Sequence, residues 1–184
     1  NKAFEMVKKL KNTCHVMLMV GNHDYINNQQ FLTDKHWMNG FKEWQGVTVV
    51  DSVIEYCINN HSFLFVPYVD KGRFMEALKT KNFKADGSRT PTCIFAHQEF
   101  FGCKMGAILS ADGDRWPEDY PQVVSGHIHS KQTLKNVHYV GSSLQEAFGE
   151  SEDKVIAILS WSKWSSGNIG STGNIPYKMT EIDL

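Results

Sequence analysis

Val16-Met17-Leu18-Met19-Val20-Gly21-Asn22-His23-Asp24 decides how the rest of this chain is read. A continuous apolar run closed by a glycine has the pattern of a strand buried on both faces, and such strands belong to sheets covered by other layers. The residues after it place an amide, an imidazole and a carboxylate on one strand-end loop, where metal-assisted attack on a phosphate ester can be assembled. Two later segments have the same design. The apolar run Thr92 to Ala96 delivers His97-Gln98, and Gln122 to Ser125 stops at Gly126-His127-Ile128-His129.

Working outward, Phe4, Val7 and Leu10 fall on one face of a helix over residues 2–11, and residues 29–44 read as partly helical. Gly46 introduces a short strand, Val47 to Val50. Val53 to Ile58 and Ser62 to Tyr68 form a hairpin about Asn59-Asn60, a pair that favours turns. Helical spacing returns from Lys71 to Lys81. Gly102 to Pro121 is rich in Gly, Asp and Pro and reads as a long substrate-facing or mobile loop. Thr133 to Leu134, Val137 to Val140, Val155 to Trp161 and Tyr177 to Leu184 are short strands, expected in a mainly antiparallel second sheet, with Ser165 to Asn174 a flexible hairpin loop. Strands alternating with helices and then a run of strands predict an α/β sandwich with helices outside. Its strand C-termini would form the binding crevice.

The 184 residues suffice for one domain, and 41% hydrophobic with 21% charged content is ordinary for a soluble protein. A net charge of -1 argues for neither a nucleic-acid-binding tail nor a membrane surface, so any polyanion would have to be held locally. Cys14, Cys57, Cys93 and Cys103 are widely spaced without a C-x-x-C pair, which points to a reducing, cytoplasmic setting. No run approaches the ~20 apolar residues of a membrane span, and no basic-then-apolar signal opens the chain.

Divalent ions such as Mn, Fe or Zn accept mixed imidazole and oxygen ligands, so His97, His127, His129 and the Asn22 side-chain oxygen form a partial ligand set. His23 need not be a ligand: beside a phosphate it can protonate the leaving oxygen, with Asp24 the nearest carboxylate to hold its tautomer. His127 and His129, two apart, point the same way if the segment is extended. A lone strand-end histidine is ordinarily a hydrogen-bonded structural residue. It is the ordered joint occurrence of the three motifs that argues for a site.

In these motifs the chain resembles the calcineurin-like metallophosphoesterase superfamily, whose later signatures are G-N-H-D/E, a strand-end His and G-H-x-H. The resemblance covers about Cys14 to His129. It implies a four-layer α/β/β/α sandwich with two divalent metals, Mn foremost and Fe or Zn as alternatives, at the sheet C-termini. By that resemblance Asn22, His97 and His127 bind the second metal, His129 binds the first, and His23 is the catalytic histidine, oriented by Asp24. Tyr139-Val140-Gly141-Ser142-Ser143, then Phe148-Gly149-Glu150 and the strand Lys154 to Leu159, is similar to the segment after G-H-x-H in DNA double-strand-break repair nucleases of the SbcD type and their phage recombination-endonuclease relatives. There, a metal-activated hydroxide attacks a DNA phosphodiester, often with an ATPase subunit as partner.

The family's earlier motifs, D-x-H and G-D-x-x-D, are absent. Twenty residues precede Gly21 and none is Asp. His15, at the head of a strand, reads as a packed or capping histidine, and Gly113-Asp114 is followed by Pro117 where a second Asp would be needed. The chain therefore reads as a single N-terminally truncated domain lacking its first strand-helix-strand unit, holding at most one metal weakly, and prone to self-association through an uncovered sheet edge. Two other functions stay open: a phosphomonoesterase or cyclic-nucleotide phosphodiesterase on the same core, and a non-catalytic scaffold.

Two secondary features carry both a functional and a plain reading. Lys71, Arg73, Lys79, Lys81, Lys84 and Arg89 against Glu76 and Asp86 form a local basic surplus that can track a nucleic-acid backbone or simply line a solvated helix face. Trp161 and Trp164 can stack bases or cover a core edge. Lys104 and Arg115 in the long loop could contact a phosphate once the site forms, although nothing in the spacing requires it.

Overall fold

A computed structural model of the protein describes residues 2–84, 90–145, 153–161 and 177–184. The N-terminal helix is α1 (Lys2–Leu10), which turns Val7 into the core. β1 (Val16–Met19) lies parallel to β2 (Val47–Val50), with Val16 opposite Val47. Of the partly helical region expected between them, a 3-10 segment, Trp37–Glu43, forms. It is capped by His36, whose ring accepts the Met38 N–H, and it buries Phe41. Val7, Val20, Tyr25, Phe41 and Tyr68 close one apolar cluster over this part of the chain.

β3 (Ile54–Ile58) and β4 (His61–Val66) form the expected hairpin. Asn59 and Asn60 have φ of +50° and +66°. A two-residue turn whose twist matches the strands needs both residues left-handed, and asparagine tolerates that conformation better than most side chains. α2 (Phe74–Lys79) follows, then β5 (Cys93–His97). Within the long loop, β6 (Lys104–Met105) and β7 (Ile108–Leu109) make a small antiparallel ribbon. β8 (Val123–Gly126), β9 (Gln132–Leu134) and β10 (Val137–Tyr139) come next.

The central sheet has six strands in the order β3-β4-β5-β8-β10-β9. β4, β5, β8 and β10 run parallel, and β3 and β9 close the two edges antiparallel. The expected second sheet is thereby corrected. β10 pairs with β8, Val137 opposite Val123, and β9 folds back onto β10, so both extend the sheet that carries His97. A three-residue strand buried along its whole length carries no periodicity that names its neighbour; the neighbour is chosen by tertiary packing. β11 (Val155–Trp161) and β12 (Tyr177–Asp183) stand apart as an antiparallel pair. The proposed loop Ser165 to Asn174 lies outside the described residues, as do Arg89, Phe148-Gly149-Glu150 and Trp164.

Alternation along the strands fills both faces of the sheet. Leu64, Val66, Ile94, Ala96 and Val123 pack with Phe74, Ala77 and Leu78 of α2 on one side. Phe63, Phe65, Cys93, Phe95 and Val124 meet Leu159 and Trp161 of β11 on the other. The Trp161 ring lies 4.9 Å from Phe63 and 5.4 Å from Tyr177, so it covers a core edge. This is an α/β fold. Its parallel strands bring the loops after β5 and β8 to one edge, and a hydrogen bond from Tyr68 N–H to the Val20 carbonyl, 2.9 Å, ties the end of β1 to the same place. Among the described residues no helix is long and apolar enough to cross a membrane.

Candidate functional site

The Gly21-Asn22-His23-Asp24 loop is a tight turn held by its own carboxylate. Asp24 Oδ2 accepts the Gly21 N–H at 2.7 Å, and Asp24 Oδ1 accepts the Trp37 indole N–H at 2.5 Å. Asp24 thus fastens the loop to the 3-10 segment; among the described residues it makes no hydrogen bond to His23. Gly21 is required by contact: a Cβ there would lie 2.9 Å from both Cε1 and Nε2 of His97. The glycine lets the strand end and the imidazole meet.

From this loop Asn22 reaches across to the central sheet. Its Oδ1 lies 3.2 Å from His97 Nε2 and 3.1 Å from His127 Nδ1. The two histidine rings are 5.3 Å apart at a steep angle, with the Tyr68 ring 5.5 Å from His127. Three strand-end loops therefore converge on one point. His127 achieves this with φ of +78°, a left-handed conformation uncommon for a non-glycine residue. The extended segment expected for 127–129 is thereby corrected to a bend, with Ile128 buried in the core and His129 exposed. Strain of this kind is held in place by surrounding structure and gathers at functional sites.

His23 is exposed at the rim of the cluster. Burial, and then the neighbouring His127, His23 and His129, push His97 down to about 3. His127 is also lowered, by burial first, against the opposing pull of Glu99. Both inner imidazoles are therefore neutral near pH 7, with a lone pair available to an electrophile.

Glu99, two residues beyond His97, went unread in the sequence and faces this cluster. Its Oε2 is 3.9 Å from His127 Nε2 and 3.1 Å from Lys71 Nζ, and its Oε1 accepts from Ser110 Oγ at 2.6 Å. Burial alone would raise this carboxyl; hydrogen bonds from Ser110 and Lys71 outweigh it and hold the group below its ordinary range. The signal available was a carboxylate two residues after a strand-end histidine. Gly113-Asp114 is structural. Asp114 accepts from Gly72 N–H, Phe74 N–H and Gln98 Nε2, pinning the start of α2 to the loop after β5.

Of the remaining candidates, His15 takes the plain reading. His15 bonds Thr48 Oγ1 at 2.9 Å and stacks on Tyr56. Of the basic surplus, Lys71 pairs with Glu99, and Arg73 pairs with Glu76 while its guanidinium lies over the Phe31 ring. Arg115 lies 3.9 Å over Phe101, and the Lys104 backbone N–H donates to Gln132.

Among the described residues no group of three His, Cys, Asp or Glu side chains converges to hold a metal; the convergence is two imidazoles and one amide oxygen. The two separations from the Asn22 oxygen are compatible with one shared cation. Ligand atoms each about 2.1 Å from an ion stand roughly 3.0 Å apart at right angles and roughly 3.4 Å apart at tetrahedral angles, which brackets the observed 3.1 and 3.2 Å.

No protein-family model matches the chain. It is 51% identical over 160 residues to "Putative phosphoesterase 078R" of Invertebrate iridescent virus 3, covering 86% of this chain and 46% of that protein. It is 49% identical over 160 residues to "Putative phosphoesterase 244L" of Invertebrate iridescent virus 6, covering 86% and 56%. The chain spans about half the length of the curated relatives it matches. At about 50% identity over 86% of its length, the chain is similar to two viral proteins that carry a phosphoesterase name.

Proposed function

We propose that this chain is the histidine-bearing part of a metal-dependent phosphoesterase acting on phosphodiesters, DNA foremost. The observation that carries the reading is the approach of His97 Nε2 and His127 Nδ1 to the same Asn22 oxygen. Asn22, His97 and His127 would hold one divalent cation, Mn foremost, with His129 beside them. Bound there, the cation would supply Lewis-acid stabilisation of charge developing on the phosphoryl oxygens. His23, exposed at the rim, would give its proton to the departing oxygen. The buried Tyr68 ring flanks the cluster, 6.4 Å from His97 and 5.5 Å from His127.

A second cation, a four-layer sandwich and an ATPase partner belong to this proposal only for a protein as long as the relatives. The test is calorimetric titration of Mn2+ into the purified chain, followed by assays of the longest available protein with a DNA duplex, bis-p-nitrophenyl phosphate and p-nitrophenyl phosphate. One bound Mn2+ and metal-dependent cleavage of the diesters are expected. Preference for the monoester would move the reading to a phosphomonoesterase. Absence of Mn2+ uptake would overturn it and leave a scaffold.

A further inference from the structure

His127 lies between two acceptors. Its Nδ1 is 3.1 Å from Asn22 Oδ1, and its Nε2 is 3.9 Å from Glu99 Oε2. A neutral imidazole has a single N–H, so it can satisfy one of them. The Nε2 separation is too long for a hydrogen bond and short enough for the carboxylate's charge to act on the ring. A full negative charge attracts an N–H more strongly than an amide oxygen does. Glu99 is also fixed from behind. Ser110 Oγ donates to Oε1 at 2.6 Å and itself accepts the Gly113 N–H at 3.0 Å, while Lys71 Nζ stands 3.1 Å from Oε2. The Glu99 side chain is 5% exposed, so little water screens it from the ring.

We propose that Glu99 is a positioning residue that keeps the His127 proton on Nε2 and so turns the Nδ1 lone pair toward Asn22, ready for a divalent cation. The cation half of this statement rests on the phosphoesterase reading; the tautomer half does not. Histidines that bind metals commonly direct the other ring N–H to a carboxylate, which fixes the tautomer and strengthens the ligand. With Nε2 protonated, the His127 Nδ1 lone pair and Asn22 Oδ1 are two electron-rich atoms turned on each other, an arrangement that a cation between them relieves. Lys71 has a second part to play here: its ammonium, 3.1 Å from Glu99 Oε2, holds that oxygen in place beside the ring.

The test reads the ring directly. In the 15N-labelled, metal-free full chain slightly above neutral pH, long-range 1H–15N spectra assign the His127 nitrogens by comparison with His127→Ala. Protonated Nε2 is expected in the wild type, and Glu99→Gln is expected to raise the Nδ1–H population. Mn2+ affinity should fall about ten- to hundredfold in Glu99→Gln, with Glu99→Asp recovering most of it. A wild-type ring protonated on Nδ1 overturns the proposal, and so does a Glu99→Gln protein with tautomer and affinity unchanged. Should Glu99→Gln fail to fold, the wild-type tautomer decides alone. If the wild type takes up no Mn2+, the phosphoesterase reading fails while the tautomer measurement still judges Glu99.

Discussion

Asn22 and His127 lie 105 positions apart in the chain, and the side-chain oxygen of the first stands 3.1 Å from Nδ1 of the second. The same oxygen is 3.2 Å from His97 Nε2, so Asn22 joins two histidines from two strands. Asn22→Ala and His127→Ala are expected to lower Mn2+ affinity more than tenfold, on the order of what disturbing a metal's surroundings costs. His23→Ala should leave metal content near wild type and, in a protein long enough to be active, cut turnover by about 10²–10⁴. Metal analysis by mass spectrometry and diester kinetics check this together. Equal metal loss in His23→Ala and His127→Ala would contradict the separation of roles.

Gly21 is predicted to tolerate no side chain. A Cβ at this position would lie 2.9 Å from two atoms of the His97 ring and 3.3 Å from Asp24 Oδ2. The ring also stands 3.0 Å from where a Gly126 Cβ would lie, so it is hemmed in on that side and Gly21→Ala should cost about 1–3 kcal/mol in urea unfolding, as overpacking does. It should also weaken Mn2+ binding, because His97 is pushed away from Asn22. Gly40→Ala serves as the control: a Cβ there meets nothing within 4 Å. Its effect should stay within about 0.5 kcal/mol.

His97 and His127 are legible from sequence because an apolar run closed by a polar or glycine residue marks a strand end wherever the strand lies in the sheet. Asn59-Asn60 is legible because its side chains suit the left-handed turn that a tight hairpin needs, and the structure has both residues left-handed. Two kinds of information are not local. β10 pairs with β8, and nothing within Val137-His138-Tyr139 distinguishes that partner from a strand of another sheet. Glu99 acquires its place from Lys71, Ser110 and His127, which come from three separate loops. The bend at His127 was likewise unreadable, since its left-handed backbone is imposed by packing around Ile128 and not by residue type.

Stability should depend on pH through His97. Burial and neighbouring histidines hold its folded pKa at about 3, below the ordinary value of 6.5. The unfolded chain therefore binds a proton that the native chain refuses, and stability rises with pH wherever the unfolded state binds more protons. The contribution is fully present above 6.5 and is lost progressively as pH falls toward about 3. Urea unfolding in the presence of a chelator at several pH values should show this slope, and His97→Gln should flatten it. A slope unchanged in His97→Gln would place the dependence elsewhere, with Glu99 and Asp51, carboxyls held below their ordinary range, the next candidates.

Asp24 is predicted to act on the loop before it acts on His23. Its two oxygens accept from Gly21 N–H at 2.7 Å and from the Trp37 indole at 2.5 Å. Trp37→Phe removes one donor and keeps the ring, so it should lose about 1 kcal/mol, less than the ~1.5–3 kcal/mol of a buried hydrogen bond to a charged group because the indole is half exposed. Asp24→Ala releases both contacts and should lose more, and should also weaken Mn2+ binding because Asn22 sits between the two anchored ends of the turn. The pH profile of turnover separates loop shaping from tautomer control of His23. If Asp24 fastens the loop, Trp37→Phe and Asp24→Ala lower activity with the same profile; if it governs the His23 proton, Asp24→Ala alone changes the profile.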